Sequence, residues 1–413
     1  MELRPGYKQT DVGVIPVDWD VKRLGELGDC VIGLTYKPED VAPHGALVLR
    51  SSNIVDATLR FENNVYVRIP IPEKLRVRNG DLLVCVRNGS RDLIGKCAAI
   101  NESLEDVTFG AFMAVLRADA HAFIFQQFQF DIVKRQIREH LGATINQITN
   151  KSMRSFRVPF PSERQERDLI ACALEDTDAL AASLERLIVK KRHVKLAATQ
   201  RLLAGRVRLP GFRDKWETRR VDEMGDVLAG KALDTDGHGP LRPYLRTKNV
   251  LDGRIDLEDV LLMPMTDAEF QRFQISVDDI LLNEGQSLEL VGRCSMYRGE
   301  LAAPCAMQNQ LLRFRAHNHA SAAFAEHLFR YCQQSGVFSV IATQTTSVAH
   351  LGSVRFATLK LLWPPTIDEQ RAIAEVLSDM DAEITALEAR REKAKALKQA
   401  MMQELLTGRT RLV

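Results

Sequence analysis

The chain has 413 residues, 45% hydrophobic and 27% charged, with 56 Lys and Arg almost balanced by 54 Asp and Glu. That length supports two or more domains with sizeable cores, and the balanced charge does not announce a nucleic-acid partner by itself. No apolar run approaches the ~20 residues of a membrane span, residues 1–5 lack a signal-peptide core, and seven cysteines without a C-x-x-C pair suit a reducing cytoplasm, the expected location.

Residues 12–158 mix short apolar runs with turn signals. Residues 82–86 and 111–116 are apolar, and Asn79-Gly80 and Asn88-Gly89 punctuate them, the pattern of strands joined by turns. The charged stretch 126–140 reads as short helices. Residues 163–204 contain neither Pro nor Gly. There Ile170, Leu174, Thr177, Ala181, Leu184 and Ile188 recur at steps of three and four, and Ala173, Leu180, Leu187 and Val194 form a second stripe. This spacing predicts a long helix with a broad apolar face. Pro159 and Pro161 precede it, and Gly205 stands where a C-terminal glycine cap belongs. A helix of about 40 residues is on the order of 60 Å long. One globular module cannot cover it, so a second, antiparallel helix is expected, and the width of the face calls for a further helical partner from another protein. Residues 186–208 carry Lys and Arg but no acidic residue, which a solvated helix face also explains.

The second half repeats the first. Gln200, Leu202, Leu203, Gly205, Arg206, Arg208 and Leu209 recur as Gln403, Leu405, Leu406, Gly408, Arg409, Arg411 and Leu412. Trp19 recurs as Trp216, Arg50 and Asn53 as Arg246 and Asn249, and Gly95 and Cys97 as Gly292 and Cys294. The second helical stripe runs Ile373, Leu377, Met380, Ile384, Leu387, Ala394, Met401 and Leu405, after Pro364 and Pro365. A repeat of roughly 200 residues is domain-sized, unlike the ~20–50-residue unit of a solenoid. The expected class is α/β (α+β): two similar globular modules separated by two long antiparallel coiled-coil helices in a pseudo-twofold internal repeat. The modules are assigned to 1–158 and 208–362, the helical spacers to 159–207 and 363–413. Residues 12–155 and 209–360 are expected to share one fold.

Catalytic signals are weak. Residues 89–96 resemble a phosphate-binding loop but have one residue too many between the glycines, and Cys97 stands where Ser or Thr would hold magnesium. His317 and His319 have no metal-ligand neighbours in sequence. Trp363-Pro364-Pro365-Thr366 lacks the leading Asn or Asp of an adenine methyltransferase loop and reads as a helix start. No metal, no cofactor and no catalytic residue is assigned to this chain.

Polar loops occupy equivalent places in both halves. In the first they are Arg50, Ser52 and Asn53; Arg87, Asn88, Ser90, Arg91 and Lys96; and the cluster at Asn146. In the second they are Arg246, Lys248 and Asn249; Asn283, Gln286, Ser287 and Arg293; Gln308 and Gln310; and residues 344–347, including Gln344 and Thr345. Arg pairs with guanine and Asn or Gln with adenine, while Ser, Thr and Lys suit phosphates. One such cluster is usually only a polar loop. Several at matching positions in divergent modules suit two readers of two DNA sequences.

Together with Tyr7-Lys8-Gln9-Thr10-Asp11-Val12-Gly13-Val14-Ile15-Pro16, Gly80-Asp81-Leu82-Leu83, Pro364-Pro365-Thr366-Ile367-Asp368-Glu369-Gln370-Arg371 and Leu405-Leu406-Thr407-Gly408, these features resemble the specificity subunit of Type I restriction–modification systems over essentially the whole chain. Residues 159–166 are a looser version of the 364–370 motif. The resemblance implies two target recognition domains, each reading one half of a bipartite double-stranded DNA site, and helices that set the spacing and dock two methyltransferase subunits. It implies a non-catalytic subunit directing adenine methylation, and restriction where two nuclease subunits join. S-adenosylmethionine would belong to the methyltransferase, and ATP and magnesium to the restriction partner. Ile170, Leu174, Leu184, Ile188, Ile373, Leu377, Leu387 and Met401 are the expected docking residues. The residues leave two other readings open: a single-chain DNA methyltransferase or nuclease with a recognition module, and a coiled-coil scaffold without a DNA role.

Overall fold

The structure, a computed structural model, describes residues 4–141, 146–233, 237–345 and 348–412. The expected long helices span Arg164–Leu202 and Ile367–Leu405. Gly205 and Gly408 close them at φ +63° and +69°. Their N–H groups donate to the carbonyls of Leu202 and Leu405 at 3.1 and 3.2 Å. This left-handed cap carries no steric penalty for a residue without Cβ.

The chain forms two compact units, one of Met1–Glu185 with Ala389–Val413, the other of Arg186–Glu388. The divisions fall inside the long helices, so each unit holds one globular region and a segment of each helix. In the first unit, Lys398 pairs with Asp178 and Arg391 with Glu185 between the helix segments; in the second, Lys195 pairs with Asp381 and Lys191 with Glu383.

The first globular region is built on an antiparallel sheet in the order Cys97–Ala99, Leu82–Cys85, Met113–Ala118, Gly28–Ile32. Side chains alternate across a strand. Leu82 and Val84 therefore enter a core with Ile124, Phe128, Val133 and Ile137 of the helices His121–Gln129 and Asp131–Leu141. Leu83 and Cys85 enter a second core with Leu47, Leu49, Val67 and Phe109 of a smaller sheet. A strand buried on both faces needs apolar residues at every position, which explains the unbroken run in the sequence. Each fully buried aliphatic side chain contributes roughly 1.5–3 kcal/mol.

The second region repeats this arrangement, in the order Cys294–Met296, Ile280–Asn283, Leu311–Ala316, Gly225–Ala229. Ile280 and Leu282 face Phe324, Phe329 and Phe338, while Leu281 faces Leu245 and Met307. Both smaller sheets contain a parallel pair, Val107–Phe109 with Ala46–Leu49 and Ala306–Met307 with Leu241–Leu245. An ion pair on a buried carboxylate recurs as well: Arg117 donates to Asp81 at 2.9 Å, and Arg315 to Asp279 at 2.7 Å. The two modules share one fold, as the repeated anchors lead one to expect.

Pro159 and Pro161 do more than precede the helix. They lie in the strand Arg157–Pro161, which pairs with Trp19–Arg23; Lys360–Trp363 pairs in the same way with Glu217–Arg220. A two-stranded ribbon tolerates proline because each strand has an unpaired edge.

Candidate nucleic-acid interface

In the first region, two loops leave the C-terminal ends of Ala46–Leu49 and Leu82–Cys85 and meet. Asn88 Nδ2 donates to Ser51 Oγ at 3.0 Å, and Lys96 Nζ lies 3.5 Å from the Ser51 carbonyl. Asn88 Oδ1 accepts from the Ser90 N–H at 3.0 Å, which fixes the turn. Arg91 Nε donates to Asn146 Oδ1 at 2.9 Å. The Arg87 guanidinium stands 5.0 Å from the ring centroid of Phe112, which is 54% exposed. Arg87, Asn88, Ser90, Arg91, Lys96 and Asn146 thus gather on one surface. Ser52 is exposed nearby, while Arg50 bends away and donates to the Asn63 carbonyl at 3.0 Å.

In the second region the corresponding surface is a small sheet in which Ala349–His350 lies between Gly285–Gln286 and Thr343–Gln344. Gln286 and Gln344 both pair with Ala349, so they flank the central strand at the same level, one on each outer strand. Gly285 leaves room for the Gln310 side chain: a Cβ there would fall 2.2 Å from Gln310 Oε1. Ser287, Gln344 and Thr345 are exposed, and Gln286, Gln308 and Gln310 are half-buried. Thr346 and Ser347 of the expected cluster lie outside the described residues. His350 Nδ1 lies 3.0 Å from Glu284 Oε2 in this sheet.

Several expected readers are buried or bound to other residues of the chain. Asn53 and Asn249 are buried. Their Oδ1 atoms accept from the N–H groups of Arg50 and Arg246, and their amides donate to the Arg60 and Asp256 carbonyls. Both hold a turn in shape. Asn283 is buried at a strand end, where its amide reaches the Val250 carbonyl at 3.3 Å. Arg246 and Lys248 both bind Asp259, at 2.5 and 2.7 Å, and the Lys248 ammonium, with Arg246, holds that carboxyl below its usual range. Neither cation is presented independently. Arg293 is half-buried, and burial lowers its pKa.

Most of the expected helical docking residues are buried too. Ile170, Leu174, Leu184, Ile188, Ile373 and Leu377 are buried within the chain. Ile170 and Leu174 pack with Trp19, Met402 and Leu405, and Met401 packs against that cluster. Leu387 is half-buried. The stripe chosen from the sequence is spent on intramolecular packing. The second stripe stays open: Leu180 in the first unit is 39% exposed, and Leu187 and Val194 in the second are 38% and 48% exposed.

Sequence reasoning matched Trp19 to Trp216 and Arg208 to Arg411 but missed what they do. Glu166, near the start of the first long helix, accepts from Trp19 Nε1 at 3.1 Å and from Arg411 Nε at 2.6 Å. Glu369, near the start of the second, accepts from Trp216 Nε1 at 3.1 Å and from Arg208 Nε at 2.6 Å. Each clasp ties a helix start to the segment that follows the other helix's end. Phe112 and His350 were also missed; neither belongs to a repeated motif.

Among the described residues no cluster of His, Cys, Asp or Glu could hold a metal ion, and no helix is long and apolar enough to cross a membrane. A family profile described as the Type I restriction modification DNA specificity domain matches residues 16–190 and again 213–397. The Type I restriction enzyme EcoKI specificity subunit of Escherichia coli (strain K12) is 21% identical over 429 residues, covering 95% of this chain and 89% of that protein. The crystal structure of a Type-I restriction-modification system S subunit from M. genitalium is similar in fold, with a TM-score of 0.61 at 14% identity over 98% of both chains. A chain from a structure of the assembling type I R-M system has a TM-score of 0.58 at 16% identity, covering 95% of this chain and 99% of its own.

Proposed function

The chain belongs to the Type I restriction modification DNA specificity family, and from that premise we propose that its two globular regions read the two halves of one bipartite double-stranded DNA site. The observation that carries this is the shared fold with unlike loops. Both regions keep the same sheet order, yet one presents Arg87, Asn88 and Arg91 where the other presents Gln286, Gln344 and Thr345. A constant frame with changed donors and acceptors is what two different half-sites require. The first half-site is read through charged groups, the second mostly through amides and hydroxyls.

The chain itself performs no chemistry in this reading. It acts in the cytoplasm, directing adenine methylation by two methyltransferase subunits, with two nuclease subunits joining for restriction. The long helices set the length of unread DNA between the half-sites. The exposed residues Leu180, Leu187 and Val194 dock the methyltransferase, since an apolar helical face in water is stabilised by a helical partner.

Genome-wide mapping of methylated adenines with and without this chain tests the reading. A split motif with a fixed unread gap should appear only when the chain is present. A continuous motif, or one independent of the chain, would contradict it.

A further inference from the structure

In the first unit, a groove runs between the loop 89–96 and the helix Asp131–Leu141, lined by Arg91, Lys96, Lys134 and Arg138, with Ile137 and Phe128 along its floor. Two features build it. Gly95 has φ +89°, and a Cβ there would fall 2.6 Å from Ile137 Cδ1. The loop therefore lies directly on the helix, which sets Arg91 and Lys96 beside it. Lys134 and Arg138 are four residues apart and share one helix face. Asp92 also lines the groove, and Asp131 pairs with Arg138 at 2.7 Å, so four cations face two carboxylates.

The second unit repeats the packing with less charge. Gly292 has φ +76° and lies against Phe338, whose Cδ2 would be 2.3 Å from a Cβ. There Leu288 stands in place of Arg91, Arg293 keeps the place of Lys96 but is half-buried, and the short helix Val337–Ile341 offers Ser339 and the 85% exposed Val340. The Arg330 guanidinium, which lies against Gly253 beside this contact, is paired with Asp252 at 2.7 Å.

Resting on the proposed DNA-reading function, we infer that the first unit's groove holds the sugar–phosphate backbone beside its half-site, with Lys134 and Arg138 as positioning residues, and that the second unit has no equivalent hold. The salt-sensitive share of DNA affinity then sits with the first region. Phosphate contacts fix register and carry no base information. Each neutralised phosphate contributes about 0.9 to the slope of log affinity against log salt.

The test uses the full chain assembled with its methyltransferase subunits. Affinity for a random-sequence duplex is measured across a salt series. The double change Lys134→Gln and Arg138→Gln should lower the slope by about 1.8, while the motif selected from a random duplex library keeps both halves. Lys134→Arg with Arg138→Lys should restore the slope. Ser339→Ala in the second unit should leave it unchanged. An unchanged slope in the Gln variant, or no recovery with charge restored, overturns the groove assignment. So does competition by a free nucleoside triphosphate that the Gln variant abolishes, since the groove would then be a nucleotide site. If the wild-type complex selects no motif at all, the DNA-reading function fails, whatever the slope does.

Discussion

Arg411 holds Glu166 through two parallel hydrogen bonds, Nε to Oε1 at 2.6 Å and Nη2 to Oε2 at 2.9 Å. The Glu166 side chain is 1% exposed, while Arg411 also reaches Asp18 at 2.8 Å and pulls that carboxyl below its usual range. Planar guanidinium and carboxylate match in a two-bond fork, the strongest form of this contact. Arg411→Ala strands a buried carboxylate and should cost about 3 kcal/mol, toward the low end for a broken buried pair because Arg411 is partly exposed. Hydrogen exchange should accelerate in the Trp19–Arg23 and Arg157–Pro161 strands and stay unchanged in Glu217–Arg220 and Lys360–Trp363. The double variant with Glu166→Ala should recover part of the loss. Equal acceleration in both ribbons would refute a local clasp.

Leu184 and Leu187 separate folding from docking. Leu184 is 5% exposed and Leu187 38% exposed. Leu184→Ala should lower stability by about 2–4 kcal/mol, as for other buried leucines. Leu187→Asp should leave the melting temperature of the chain nearly unchanged and abolish co-purification with the methyltransferase subunit. Retention of the complex by Leu187→Asp and Leu180→Asp together would remove this stripe from the docking surface.

His327 makes the second unit acid-sensitive. It lies 3.0 Å from Ser378 Oγ, and burial, reinforced by the Arg330 charge, pushes its pKa down to about 4. Between that value and its ordinary ~6.5 the unfolded chain binds the extra proton, so stability rises with pH across this window. It is full above about 6.5 and is lost as pH falls toward 4. The loss at pH 4 is on the order of 3 kcal/mol. Denaturant titrations at pH 7 and pH 4.5 should show His327→Gln less acid-sensitive than wild type. Parallel pH profiles would exclude His327 as the source.

Asn53 is expected to matter for folding alone. Asn53→Ala removes the acceptor for the Arg50 N–H and the donor to the Arg60 carbonyl, which should cost roughly 1–3 kcal/mol. The methylated motif should not change. A changed base in the motif of a stably folded Asn53→Ala variant would return this residue to the reading surface.

The fold was largely legible in the sequence because its signals are periodic. The spacing of Ile170, Leu174, Leu184 and Ile188 fixed a helix, and Gly205 fixed its end. Repetition told that Trp19 and Trp216 do the same job. It could not tell reading from scaffolding. Asn53 and Asn249 recur because both close the same turn, and a residue that holds a shared frame repeats more faithfully than one that reads a different base. Conversely, Phe112 and His350 were invisible, since they lie apart in sequence from the loops they join. Stripe width led to the expectation of further helical partners, but only packing shows which seam is used internally. The pairing of Arg246 and Lys248 with Asp259 was not legible either, since Asp259 lies more than ten residues away in sequence.

The central claim is that each region reads its own half-site. Methylation motifs should be mapped for two variants, Arg87→Ala with Asn88→Ala and Gln286→Ala with Gln344→Ala. Losing a paired base contact costs about 1–3 kcal/mol of discrimination. The first variant is expected to relax one half of the motif and the second the other, with the gap unchanged in both. Relaxation of both halves by either variant, or of the same half by both, would contradict the account.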